Sequence, residues 1–171
     1  MKNNWIYKVF LLTFLLSIIF SFVSNFIAES FSEIILVLII FLVIVIGIIF
    51  DMFGVAVLTS TEANFHAMAS KKINGSKEAL ALIKSSSKIS SIFNDVVGDI
   101  CGIVSGSLSA VYTVYLCGVV SINSVLLAVL ITAITSTFTV TGKAIMKNVG
   151  MKNSDKIVLF IGKFISKFKF K

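Results

Sequence analysis

Ile34 to Leu58 reads IILVLIIFLVIVIGIIFDMFGVAVL, and its only charged residue is Asp51. A run of about 20 apolar residues in helical form crosses the ~30 Å hydrocarbon core of a bilayer. Inside that core every backbone N–H and C=O must find its partner within the protein, which a helix achieves along its own length. The rest of the chain belongs to the same environment. Of its 171 residues, 57% are hydrophobic and 13% charged, whereas ordinary soluble domains carry about 25% charge. That composition excludes a cytosolic enzyme, a secreted disulfide scaffold and a disordered tail.

Upstream, Val9 to Ala28 is a second uncharged stretch, preceded by Lys2 and Lys8. A basic start followed by an apolar run also describes a signal peptide. This run, however, exceeds the usual h-region of roughly 7–15 residues and no A-x-A cleavage site follows. It is predicted to be an uncleaved first span, joined to the second by the short Glu29–Glu33 connection.

Downstream, Thr59 to Lys88 is polar and holds Lys71, Lys72, Lys77, Lys84 and Lys88. Asn74-Gly75 is a turn signal and Ser76 an expected N-cap, with Glu78 close behind, so two short helices are predicted at about 61–73 and 76–87. After Asp99 no charge occurs until Lys143. Two spans fit there, at about 93–117 and 123–142, separated by Gly118–Ser124, where Ser121, Asn123 and Ser124 supply turn chemistry. The predicted fold is an all-α integral membrane protein with four transmembrane helices, a cytoplasmic juxtamembrane helix pair and a C-terminal amphipathic helix. Its parts are an extra N-terminal helix and outer loop (1–33), a transmembrane domain (34–145) and a basic tail (146–171).

All 15 basic residues are lysines. They lie before span one, between spans two and three, and from Lys143 onward, whereas the two remaining connections have none. The positive-inside rule then puts both termini in the cytoplasm of a multi-pass cell-membrane protein. In the tail, Ile157, Phe160, Ile161, Phe164, Ile165 and Phe168 recur at helical spacing, with Lys156, Lys163 and Lys167 on the other side. Such a helix lies in the headgroup plane of an anionic inner leaflet; a partner-binding tail is the alternative. The continuous apolar face argues against nucleic acid.

Ionisable groups at membrane depth are candidates for function, because a buried charge needs a partner or water. Asp51 lies 18 residues beyond Glu33, ~27 Å along a helix. Asp95 and Asp99 stand at i and i+4 near the start of span three. Orientation thus brings three carboxylates to a similar depth, with Asn94 and Asn64 as nearby amides. Hard cations such as Mg²⁺ take oxygen ligands of these kinds. The simpler readings are solvation at the interface, or pairing with Lys84 or Lys88. Gly98, Gly102 and Gly106, extended by Ala110, form a small-residue stripe suited to close helix packing or homodimerisation. Asp95 and Asp99 share it and are expected to face protein. A single histidine, His66, leaves little room for a zinc site or a Ser-His-Asp triad, and no GK[ST] phosphate loop occurs. Cys101 and Cys117 are 16 residues apart, ~24 Å on one helix, too far for a disulfide.

Three segments together resemble the transmembrane domain of the CNNM/CorB/CorC magnesium and cobalt transporter family: FDMFGVAVLTS (Phe50–Ser60), FHAMASKKINGSKEALALIK (Phe65–Lys84) and SSIFNDVVGDICGIVSG (Ser90–Gly106). The resemblance covers about residues 35–145. It implies an apolar helix ending in an A-L-T-S-like motif, a basic juxtamembrane helix pair, and a following span that opens with a Gly-Asn-like motif. It further implies a dimer that carries Mg²⁺ or a related divalent cation as substrate, bound between its helices. The chain departs from the pattern in two places. The family's Ser and Glu before that motif fall on Gly54 and Val55, and its Gly-Asn falls on Gly98-Asp99 or, in a shifted alignment, on Asn94. Regulatory CBS domains would come from a partner. The expected ligands are Asp51, Asn94, Asp95 and Asp99, the family's Asn falling on Asp99 or Asn94; no permanently bound cofactor and no enzymatic activity are expected. Two other classes also fit the residues: a membrane adaptor that recruits through its lysine-rich segment and tail, and a holin-like pore former.

Overall fold

A computed structural model describes residues 3–120 and 122–169; Lys2 and Ser121, used above for orientation and for a turn, lie outside them. The described chain is helical: α1 (Asn3–Ser30), α2 (Glu33–Thr59), α3 (Glu62–Ser70), α4 (Ser76–Lys84), α5 (Ser86–Ser91), a π turn (Ile92–Val97), α6 (Gly98–Val119), α7 (Ser124–Lys152) and α8 (Ser154–Lys169). Among the described residues three helices are long and apolar enough to cross a membrane: α2, the continuous helix Ser86–Val119, and α7. α1 carries a shorter apolar stretch, Phe14–Ile27. These helices expose large apolar side chains such as Phe22, Ile34, Phe41, Val114, Val125 and Phe138. Water tolerates no such continuous apolar surface on a monomer. The molecule has the helices and the surface of a multi-pass membrane protein.

Local chemistry sets the helix ends. The acidic Glu33 opens α2, where a negative charge favours the helix dipole. At its other end the Thr59 and Ser60 hydroxyls donate to the carbonyls of Val55 and Ala56. Asn123 Oδ1 caps α7, accepting from the Val125 and Leu126 amides. Ser76 does not cap α4. It is the first helical residue, and its hydroxyl donates to Ile73 O at 2.6 Å. Gly75 precedes it with φ +79°, a left-handed conformation that glycine adopts without steric cost.

The chain divides into two compact units. One takes the residues up to Ile46 together with Asp99–Val140. Here Leu36, Ile40, Ile44, Leu108 and Leu127 are buried, and α1 meets α6 through Ser21 and Ser107, whose hydroxyls are 3.2 Å apart. Glu33 and Tyr115 line one small cavity together with Phe31, Leu36, Val111 and Tyr112. The hydroxyls of Ser24, Ser109, Thr113, Thr135 and Thr139 bond to carbonyls four residues back in their own helices. Polar atoms are satisfied in this way without water.

The other unit comprises Gly47–Gly98 and Thr141–Lys171. Its core joins Ala56 and Val57 of α2, Phe65 of α3, Ala79 and Ile83 of α4, and Val158 and Ile161 of α8. α8 is seated closely. A Cβ at Gly162 would overlap the Gly75 carbonyl oxygen, and one at Gly75 would overlap the backbone at Lys163. Asn64 donates to Asp155 at 2.7 Å, and Ser166 to Asn74 at 3.2 Å. The helical pattern of the tail thus divides into two faces. Val158, Ile161 and Ser166 turn inward, while Phe160, Phe164 and Phe168 form an exposed row beside the exposed Lys156, Lys163 and Lys167.

Candidate functional site

Asp51 sits near the lysine-rich end of α2, in the second unit. It is 4% exposed, and its Oδ2 receives no hydrogen bond. The charge facing that oxygen is the Lys147 ammonium of α7, 3.6 Å away. Charge-assisted hydrogen bonds measure about 2.7–2.9 Å, so the two groups form an ion pair without a hydrogen bond. The pair is asymmetric, since the Lys147 side chain is 49% exposed and that of Asp51 5%.

Asn94 supplies a second orphan oxygen. Its Nδ2 donates to the buried Ser90 Oγ at 3.3 Å, while its Oδ1 is buried with no donor. That oxygen lies against Gly54, where an added Cβ would overlap it. Gly54 is one helical turn beyond Asp51, and residues three apart share a helix face. Both unsatisfied acceptors therefore border the same face of α2. Two buried oxygens without donors are unusual, because an unmet buried polar group costs about 1–3 kcal/mol.

The surroundings explain how these groups are held. Asn94 lies within the π turn, a device found mostly as single turns at functional sites. Phe93 beside it packs edge-on against Phe50, with centroids 5.5 Å apart, and lies 6.4 Å from Phe53. Phe50 and Phe53, the neighbours of Asp51, meet each other at 5.9 Å. This aromatic wall holds the π turn against α2. On the other side, α7 approaches α2 closely. A Cβ at Gly142 would overlap Ile48, and one at Gly150 would come within 2.9 Å of the Met52 carbonyl oxygen. The earlier glycine meets the earlier residue, so the two helices run in the same direction here.

The expected ligands have different surroundings. Asp51 and Asn94 come to one helix face, whereas Asp95 and Asp99 are exposed. Among the described residues no three His, Cys, Asp or Glu side chains gather. Asp99 belongs to the first unit and the other three to the second. In the glycine stripe, Gly98 is buried and its Cβ position faces Lys143 Nζ at 3.5 Å, but Gly102 and Gly106 are exposed with open space beside them. Among the described residues nothing lies within 4 Å of a Cβ placed at either, and close packing is supplied instead by Gly142 and Gly150. The π turn ends at Val97, between Asp95 and Asp99, so i/i+4 spacing does not put Asp95 on the face of the residues beyond it, while Gly98, Gly102 and Gly106 lie together in α6 and keep their shared face. His66 is an exposed helix residue bonded to Glu62 at 3.2 Å.

Sequence reasoning missed Lys147 and Gly54. Lys147 was counted only for orientation; its signal was a lysine at the end of a span running in the same sense as α2. Gly54 read as the loss of a polar group, although a residue without a side chain is also a space that a neighbour's side chain can fill. Comparison of the chain with protein-family models, curated proteins and solved structures gives no match.

Proposed function

We propose that this is a membrane protein of the CNNM/CorB/CorC type that binds a divalent cation, Mg²⁺ or a close relative, and moves or senses it. The observation that carries the reading is the pair of buried, donor-less oxygens, Asp51 Oδ2 and Asn94 Oδ1, bordering one face of α2 with a cation already beside one of them. Mg²⁺ is commonly held by one or two carboxylates, with waters completing the shell, so one carboxylate and one amide make a sufficient protein contribution. The Asn94 carboxamide would serve where the resembled family has a polar side chain at position 54. Asp95 and Asp99, exposed near the same end, would attract the cation rather than enclose it.

In this reading α1 is a fourth span, both termini are cytoplasmic, and the parallel run of α2 and α7 is the one an intervening antiparallel pass requires. The open space beside Gly102 and Gly106 would receive a second copy in a homodimer. The phenylalanine row of α8, flanked by Lys156, Lys163 and Lys167, would rest on the anionic leaflet. A CBS-domain partner would supply regulation.

Titration of the purified full chain in lipid nanodiscs with Mg²⁺, followed by calorimetry, tests this. The wild type is expected to bind saturably, with Asp51→Asn and Asn94→Ala each weakening binding tenfold or more. Absence of saturable binding by the wild type overturns the proposal.

A further inference from the structure

We infer that the Lys147 ammonium is an intramolecular counter-ion that holds the cation's place at Asp51 and must swing out before a divalent cation binds. The inference rests on the reading of Asp51 and Asn94 as cation ligands and adds to it a competitor carried by the chain itself.

The geometry is that of a displaceable partner. Lys147 Nζ faces the Asp51 oxygen that no donor satisfies, at 3.6 Å, so its departure breaks no hydrogen bond. The carboxylate is enclosed while the lysine is half exposed, and the long flexible stem of lysine lets the ammonium withdraw toward the open side. The backbone that carries it is fixed. Gly142 and Gly150 bracket Lys147 along α7 and abut Ile48 and Met52 of α2, which leaves the side chain as the part free to move.

The electrostatics give the arrangement a purpose. A carboxylate this buried is costly when ionised and alone. With Lys147 in place the ion-free protein never presents a bare buried charge. When a divalent cation arrives, one positive group replaces another at the same oxygen, and the released ammonium finds water. Lys143, one turn earlier on α7, has its Nζ 3.5 Å from the Cβ position of Gly98, beside the end of the π turn. A second ammonium on the same stretch of α7 would add to the repulsion that an arriving cation meets. The affinity for the cation is therefore expected to be lower than the oxygens alone would give.

Two measurements on the full chain in nanodiscs test the exchange. In the first, Mg²⁺ is titrated into the wild type and Lys147→Gln. Removal of the competitor is expected to tighten binding tenfold or more. Equal or weaker binding by Lys147→Gln, with the wild type binding, overturns the counter-ion role and leaves the cation site standing. If neither protein binds Mg²⁺, both the role and the site are overturned. Binding by the variant alone supports the counter-ion role while overturning the proposal that the wild type itself binds Mg²⁺. The second measurement needs no variant. The wild type is treated with an amine-acylating reagent at rising Mg²⁺, and labelling is read at Lys147 by mass spectrometry, with Lys143 as reference. A Mg²⁺-dependent rise at Lys147 relative to Lys143 supports release of the ammonium; an unchanged or falling ratio overturns it.

Discussion

Gly54 carries a constraint that its size conceals. Any side chain there competes with Asn94 Oδ1 for one volume. Overpacking a close contact costs about 1–3 kcal/mol, and Gly54→Ala is expected to lower stability by that amount and to push the carboxamide off α2. Thermal unfolding reads the first effect. Mg²⁺ titration reads the second, as weaker binding, and unaltered affinity would detach Asn94 from the site. Asp51 was visible in the sequence because a lone acid in an apolar run needs an explanation. Its partner was not, because fifteen lysines crowd the ends of the spans and spacing alone does not single out Lys147.

Among the elements, α2 was the most legible: 25 residues with one charge admit few conformations in lipid. The π turn was not legible. Its hydrogen bonding differs from the α pattern by one residue, and nothing in IFNDVV announces that shift. The inference that crossed it, which grouped Asp95 on one face with Asp99 and the glycines, lost its register. α8 was half legible. Period and charge marked an amphipathic helix, but Gly162 went unread, and with it the α3–α4 pair that takes the inner face. Replacing Gly162 by Val would drive a side chain into the Gly75 carbonyl and Ala79. The expected result is release of α8, seen as faster amide exchange across Ser154–Lys169 while α2 and α7 keep their protection. Retained protection of α8 would show that the seat tolerates bulk.

For the whole molecule, the distribution of lysines makes a claim about orientation that labelling can check. In a background with Cys101 and Cys117 replaced by Ser, a cysteine at Ser32 is expected to react with a membrane-impermeant maleimide on intact cells. One at Asn74 is expected to react only after permeabilisation. The reverse pattern would invert the topology. The all-α class and three long apolar helices followed from composition and run length, which are whole-chain properties, whereas the fourth expected span, in α1, carries only the shorter apolar stretch Phe14–Ile27 among the described residues. The candidate site did not follow from them, because it depends on which residues of distant segments meet, and that is settled by glycine contacts between α2 and α7.

The Asp51–Lys147 pair also has a history within each synthesis of the chain. Almost a hundred residues separate its members, so the ribosome delivers the carboxylate long before the ammonium. Through that interval α2 carries an acid that Lys147 does not yet neutralise. Only when α7 is seated through Gly142 and Gly150 does the acid gain the Lys147 ammonium. Pairing of Asp51 is thus a late event that follows the arrival of α7, and a chain cut before Lys147 would lack the ammonium that faces this acid.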